Sequence, residues 1–136
     1  MANKIIIFDT SIFIDQLRTN RFKDHFQNMT GLIRNSSVVL AELLRGATKE
    51  EEVNFVMTLA KNHPQFSPTE KNWLESGEIL WNINNDKGFS PEKLRDLHFD
   101  VLIALTARGH GATLVTSNKS DFELIKKYRG FSLETW

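Results

Sequence analysis

Four carboxylates stand where a charge that only meets water would be out of place: Asp9 in IIIFDTS, Glu42 in VVLAELLRG, Asp100 in FDVLIALTA and Asp121 in TSNKSDF. Acids in apolar surroundings need a partner. Two unpaired carboxylates at about 4 Å repel by roughly 4 kcal/mol at an effective dielectric near 20, so a shared divalent cation is the simplest reason to gather several. The chain has no cysteine, which leaves oxygen and imidazole as donors, and a set of Asp and Glu suits Mg²⁺ or Mn²⁺. Such an ion acidifies a water and stabilises the charge that develops on a phosphodiester oxygen during in-line displacement, so no protein nucleophile is required. Thr10, Ser11, Thr116 and Asn118 lie beside the first and last acids and are short enough to orient a carboxylate or a water. Arg45, three residues after Glu42, and Lys119, inside the last segment, are cations able to hold a phosphate nearby.

Each acid also has a plainer explanation. Asp9 could cap the helix that follows it, Asp121 could meet a helix dipole, and Asp100 could pair with Arg95 or Arg108. Glu42 resists this treatment, because Leu40, Ala41, Leu43 and Leu44 leave it little polar face. Four coincidences are less economical than one site. Asp96, one turn before Asp100, could share its face; Glu50, Glu51 and Glu52 read as a solvated helix start; and helical geometry turns His98 away from Asp100. Trp73 and Trp81, eight apart on nearly one helical face, read as core more readily than as a dimer contact.

These acids must be carried by elements that bring them together. Ile5 to Phe8 is a short apolar strand ending at Asp9, with Thr10 or Ser11 placed to cap a helix reaching Leu17. A helical stretch from Arg21 leads to Gly31, a strand covers Leu32 to Asn35, and Ser36 or Ser37 caps a helix over 38–47 with Glu42 in its middle. Thr48 with Glu51, and Ser67 with Glu70, have capping-box spacing and predict helices over 49–61 and 68–84. Ser90 and Pro91 open another helical segment, which continues through Asp100 to Arg108; Thr113 to Thr116 is a strand; Ser120 with Glu123 caps a last helix; Phe131 to Leu133 is an edge strand. Continuously apolar strands alternating with helices predict an α/β fold, with helix layers covering both faces of a mostly parallel sheet. In such folds ligands bind at strand carboxyl ends, where Asp9 and the 116–121 segment would meet.

The four segments together resemble a PIN domain, most closely the ribonuclease toxins of the VapC type found in toxin–antitoxin pairs. DTS at 9–11, AELLRG at 41–46, D-x-x-I-A-x-x-A at 100–107 and T-x-N-x-x-D-F at 116–122 correspond to the family's four motifs. The resemblance implies a three-layer α/β/α fold over the whole of 1–136 as a single domain, metal-dependent cleavage of RNA, a homodimer and a small antitoxin that blocks the acidic cleft. It implies that Asp9, Glu42, Asp100 and Asp121 are the metal-binding carboxylates. Leu105 departs from the pattern, standing where a small residue is common, and the stretch 61–89 matches none of the motifs.

Composition sets bounds on this reading. At 136 residues and 40% hydrophobic content one core is expected, without disulfides. The longest wholly apolar run is Val101 to Leu105, too short for a membrane span, so a cytoplasmic protein is expected. With 17 basic and 17 acidic residues the overall field attracts no polyanion, and any nucleic-acid binding must come from a local patch. An aspartate-nucleophile phosphatase needs a second acid two positions after Asp9, where this chain has Ser11, and a receiver domain needs an acidic pair there that is missing. A PIN-like module that only binds RNA or a partner, and an RNA-processing nuclease without an antitoxin, are the remaining rivals.

Overall fold

The computed structural model describes residues 4–136, so the first three positions of the expected 1–136 unit lie outside the described residues. β1 (Ile5–Phe8) sits inside the sheet, its last three side chains buried. It pairs in parallel with β2 (Leu32–Ile33) on one side and β5 (Thr113–Thr116) on the other, and β6 (Ser132–Thr135) pairs in parallel with β5. The order β2-β1-β5-β6 makes a four-stranded sheet in which every pairing is parallel, as the continuous apolar runs predict. The chain moves from β1 outward in both directions. The carboxyl ends of β1 and β5 therefore flank a crevice where strand order reverses.

Helices flank the sheet: α1 (Thr10–Thr19), α2 (Lys23–Asn28), α3 (Ser37–Gly46), α4 (Glu50–Asn62), α5 (Glu70–Lys87), α6 (Pro91–Gly109) and α7 (Lys119–Tyr128). The central one is α6, buried at Leu97 and at every position from Val101 to Ala107. Leu105 is accommodated inside that core. Among the described residues no helix is long and apolar enough to cross a membrane.

The structure differs from the sequence reading at several boundaries. The strand expected over Leu32 to Asn35 is two strands in two sheets, because Arg34 N donates to Ile6 O (2.9 Å) while Asn35 N donates to Pro64 O (2.8 Å). The second piece, β3 (Asn35–Ser36), pairs with β4 (Gln65–Phe66), and the Asn35 amide ties this sheet to α4 through the carbonyls of Leu59 and His63. Asp9, not Thr10 or Ser11, caps α1; Ser36 caps α3. The box at α5 is Thr69 with Asn72, two residues later than Ser67 with Glu70, while Thr48 reaches Glu52 instead of Glu51. α7 begins at Lys119, which places Ser120 inside the helix, not at its cap. Trp73 and Trp81 are 50% and 67% exposed, so neither is core. Ser76, Ile79 and Ile83 form the buried face of α5 instead.

Gly31 admits β2 to the sheet. Its φ is +144°, and a Cβ there would stand 2.7 Å from Lys4 O, the acceptor of the bond from Leu32 N that opens the β1–β2 pairing. Gly31→Ala is expected to cost about 2 kcal/mol through backbone strain and loss of that pairing, read as a lower midpoint in denaturant unfolding. An unchanged midpoint would show that β2 contributes nothing to stability.

Candidate functional site

Asp9 leaves β1 at the sheet's centre and is 3% exposed. Its backbone N donates to Val115 O across the β1–β5 boundary (2.9 Å), and Oδ2 accepts from Ser11 Oγ (2.7 Å), Thr116 Oγ1 (2.9 Å) and Ser11 N (3.4 Å). All of these bonds fall on one oxygen. Oδ1 takes none among the described residues. The hydroxyls are themselves tied together: Ser11 Oγ and Thr116 Oγ1 are 3.2 Å apart, Ser117 N donates to Ser11 Oγ, and Asn118 N donates to Thr116 Oγ1. Burial raises the Asp9 carboxyl above its usual range, against the lowering effect of these donors.

Glu42 projects from the middle of α3, where the apolar stripe of Val39, Leu40 and Leu43 packs inward and draws the carboxylate partly out of water. Thr10 Oγ1 donates to its Oε1 at 2.9 Å, and Arg45 Nη2 lies 3.9 Å from Oε2. Burial, and then the charge of Asp9, push Glu42 up; Thr10 and Arg45 pull it down. Asp121, in the first turn of α7, accepts from Asn118 Nδ2 (3.1 Å) and from Lys93 Nζ (2.9 Å).

Asp100 sits in the centre of α6, immediately before the buried run from Val101 to Ala107. Its carboxyl is pushed up to about 8, first by burial and then by the charges of Asp9, Glu42 and Asp121, with Lys93 acting in the opposite direction. The four acids singled out in the sequence are thus brought into one electrostatic neighbourhood from the end of β1, from α3, from α6 and from α7. Among the described residues no three of them are drawn together as a finished metal cage. Mutual repulsion favours such spacing. The donor set itself is all carboxylate, with one oxygen of the central Asp9 unengaged, and this chemistry fits a hard divalent cation.

Of the four short polar residues, Thr10 donates to Glu42, Ser11 and Thr116 donate to Asp9, and Asn118 donates to Asp121. Arg45 lies beside Glu42 with its guanidinium 5.5 Å from the Phe99 ring centroid. Lys119 is exposed at the start of α7. Asp96 is exposed and is not among the charges acting on Asp100. Arg95 and Arg108, weighed as partners for Asp100, instead face Glu92 and the Gly130 carbonyl. Sequence reasoning missed Lys93 and Asp15. Lys93 is seven residues before Asp100 on the same helix, two turns away on one face, and this spacing was the available signal. Asp15 follows Ser11 by four on α1, accepts from Ser117 Oγ (3.0 Å) and Arg21 Nη2 (2.8 Å), and so fastens the loop after β5 to α1.

No curated protein matches this chain. Among solved structures it is similar to a chain of the DNA-bound VapBC of Salmonella typhimurium (22% identity, TM-score 0.72, covering 100% of this chain and 99% of that one). It is also similar to VapBC-1 of nontypeable Haemophilus influenzae (21%, 0.70, covering 97% and 98%) and to VapBC2 of Rickettsia felis bound to a promoter DNA fragment (25%, 0.66, covering 97% and 98%). The family model for the PIN domain matches residues 6–128, which include all four acids. The chain belongs to the PIN-domain family.

Proposed function

We propose that the chain acts as one nuclease domain that cleaves RNA with the help of Mg²⁺ or Mn²⁺, as a VapC-like toxin controlled by a small antitoxin in the cytoplasm. The observation that carries this reading is that the charges of Asp9, Glu42 and Asp121, from three different elements, all act on Asp100. A divalent cation held there would acidify a water and offset the charge that builds on the phosphodiester oxygens. The chain's own groups do the rest. Ser11 and Thr116 hold Asp9 in one orientation; Thr10 and Asn118 do the same for Glu42 and Asp121. Asp100 holds a proton at neutral pH that a cation must displace. Lys93, Arg45 and Lys119 supply positive charge for the phosphates of the strand.

The toxin half of the reading draws on the VapBC structures, and on a groove beside Glu42 lined by Ile14, Leu17, Leu43 and Val56, suited to the apolar face of an antitoxin helix. A homodimer belongs to the same reading and is measured by sedimentation.

Three outcomes are expected. Purified protein with Mn²⁺ cleaves cellular RNA; chelator, Asp9→Asn or Asp100→Asn lowers the rate about a hundredfold or more, with folding checked by circular dichroism. Cleavage that survives both chelator and substitution would overturn the metal mechanism. Expression of the chain arrests growth, and a small protein encoded beside it relieves the arrest; cleavage without arrest points to RNA processing instead.

The third concerns pH. Asp9, Glu42 and Asp100 all have raised values, so the folded chain keeps protons that the unfolded chain has released. In chelator, stability therefore falls as pH rises from near 3.8 towards about 8. Asp100→Asn removes one of the three contributions to this slope. At the upper end of that window it is expected to melt about 5 °C above the unchanged chain in chelator, and at the lower end the two should melt alike. Added Mn²⁺ reverses the order, because only the unchanged chain gains the full set of ligands. Equal melting at both ends would show that Asp100 is not electrostatically frustrated.

A further inference from the structure

A second feature borders Glu42. A cavity of about 530 Å³ lies between α3, the loop before α5, and α6, and its walls include Glu42, Arg45, Ser67, Pro68, Trp73 and Phe99. One wall is thus a carboxylate of the acid cluster. Two others are aromatic faces, with an exposed cation between them.

The aromatic wall is held in place. Trp73 is half exposed, yet its ring packs edge-on against His98 at 5.9 Å between centroids. His98 is fixed in turn by Ser76 Oγ, 3.0 Å from Nε2, and that same hydroxyl donates to the Trp73 carbonyl at 2.6 Å. Ser76 is fully buried, so this chain of contacts anchors Trp73 to the core of α5 while leaving the indole open. Across the cavity the Arg45 guanidinium lies over Phe99 and 3.9 Å from Glu42, its side chain 69% exposed. A large aromatic surface kept in water at the mouth of an acidic cleft costs hydration free energy unless something covers it during function. A flat, neutral π-system attached to an anionic backbone matches both the aromatic faces and the cation.

We propose that this cavity is a nucleobase subsite: an unpaired base of the RNA strand next to the cleaved bond stacks on Trp73, and Arg45 contacts the adjoining phosphate. The inference rests on the nuclease reading and adds to it a place on the protein, Trp73, where the base next to the cleaved bond stacks. A base within a duplex cannot reach the indole. Phe99 serves as the opposite wall, and His98 is a positioning residue for Trp73.

Trp81 supplies the internal control, since it lies on the same helix, is more exposed than Trp73, and is not part of this cavity. The full chain is titrated with a short unstructured RNA in Ca²⁺, a hard cation used to permit binding without cleavage, and followed by tryptophan fluorescence and by anisotropy of a labelled strand. Base stacking of about 1–3 kcal/mol converts to a loss of roughly 5- to 150-fold for Trp73→Ala, with the fluorescence quench abolished. Trp73→Phe should retain most of the affinity, and Trp81→Ala should stay within about twofold of the unchanged chain. The same sequence as a duplex should bind without quenching.

Equal losses for Trp73→Ala and Trp81→Ala, no loss for either, or no binding of RNA in Ca²⁺ would each overturn the subsite. A loss that tracks a change in sedimentation would also overturn it, by assigning Trp73 to a contact between protein chains. Cleavage in Mn²⁺ is scored separately. RNA cut at an undiminished rate by Trp73→Ala sinks the subsite and leaves the nuclease, whereas Trp73-dependent binding without metal-dependent products sinks the nuclease and leaves the subsite.

Discussion

Negative charge is crowded around Asp100, and the fold has to be strong enough to keep it there. Three other carboxylates act on that one group, and each arrives on a different part of the chain. Left to themselves such groups separate or take up protons. The parallel sheet prevents the first by fixing where β1 and β5 end, and the buried stretch of α6 prevents it again by leaving Asp100 no freedom to swing into solvent without moving the core. Proton uptake is then the remaining response, in keeping with an Asp100 carboxyl pushed up to about 8 by burial and by its neighbours' charges. Under the metal-dependent function proposed above, a cation that displaced this proton would also relieve the repulsion among the acids.

The hydroxyl network explains how four acids can be both held and adaptable. Asp9 takes three bonds on one oxygen, from donors that also brace the loop after β5. Its position is therefore set by backbone on both sides of the crevice. Glu42 accepts from a single hydroxyl and is more open, and Asp121 is shared between an amide and a lysine. Asp9 and Asp100 are the members fixed by the fold, and Glu42, held by one hydroxyl, is the least constrained of the four.

Legibility in the sequence followed the range of the forces involved. β1, α3, the run after Asp100 and β5 were readable because their signals are local: apolar runs, a serine before a helix, glycines after one. The four acids were readable because each violates its local surroundings. What the sequence concealed was decided by distant partners. The split at Arg34 depends on Pro64, thirty residues on, and β4 is only two residues long. Asp9 was readable as a cap of α1 beside Thr10 and Ser11, and the choice among the three was settled at longer range, with Ser11 turning its hydroxyl to Asp9 and Thr10 turning its own to Glu42. Trp73 and Trp81 share a helical face, yet Ser76, Ile79 and Ile83 occupy the buried one, and periodicity alone does not say which of two faces points inward.

Lys93 shows why an internal cation does not complete the site. Its Nζ is 2.9 Å from Asp121, and it lowers the value of Asp100, but it stands against the three other carboxylates, whose charges raise that value. Arg45, at 3.9 Å from Glu42 and with its side chain mostly in water, adds little, since an exposed pair is worth at most about 1 kcal/mol. The chain as a whole is neutral, with 17 charges of each sign, so the deficit is local and not a property of its composition.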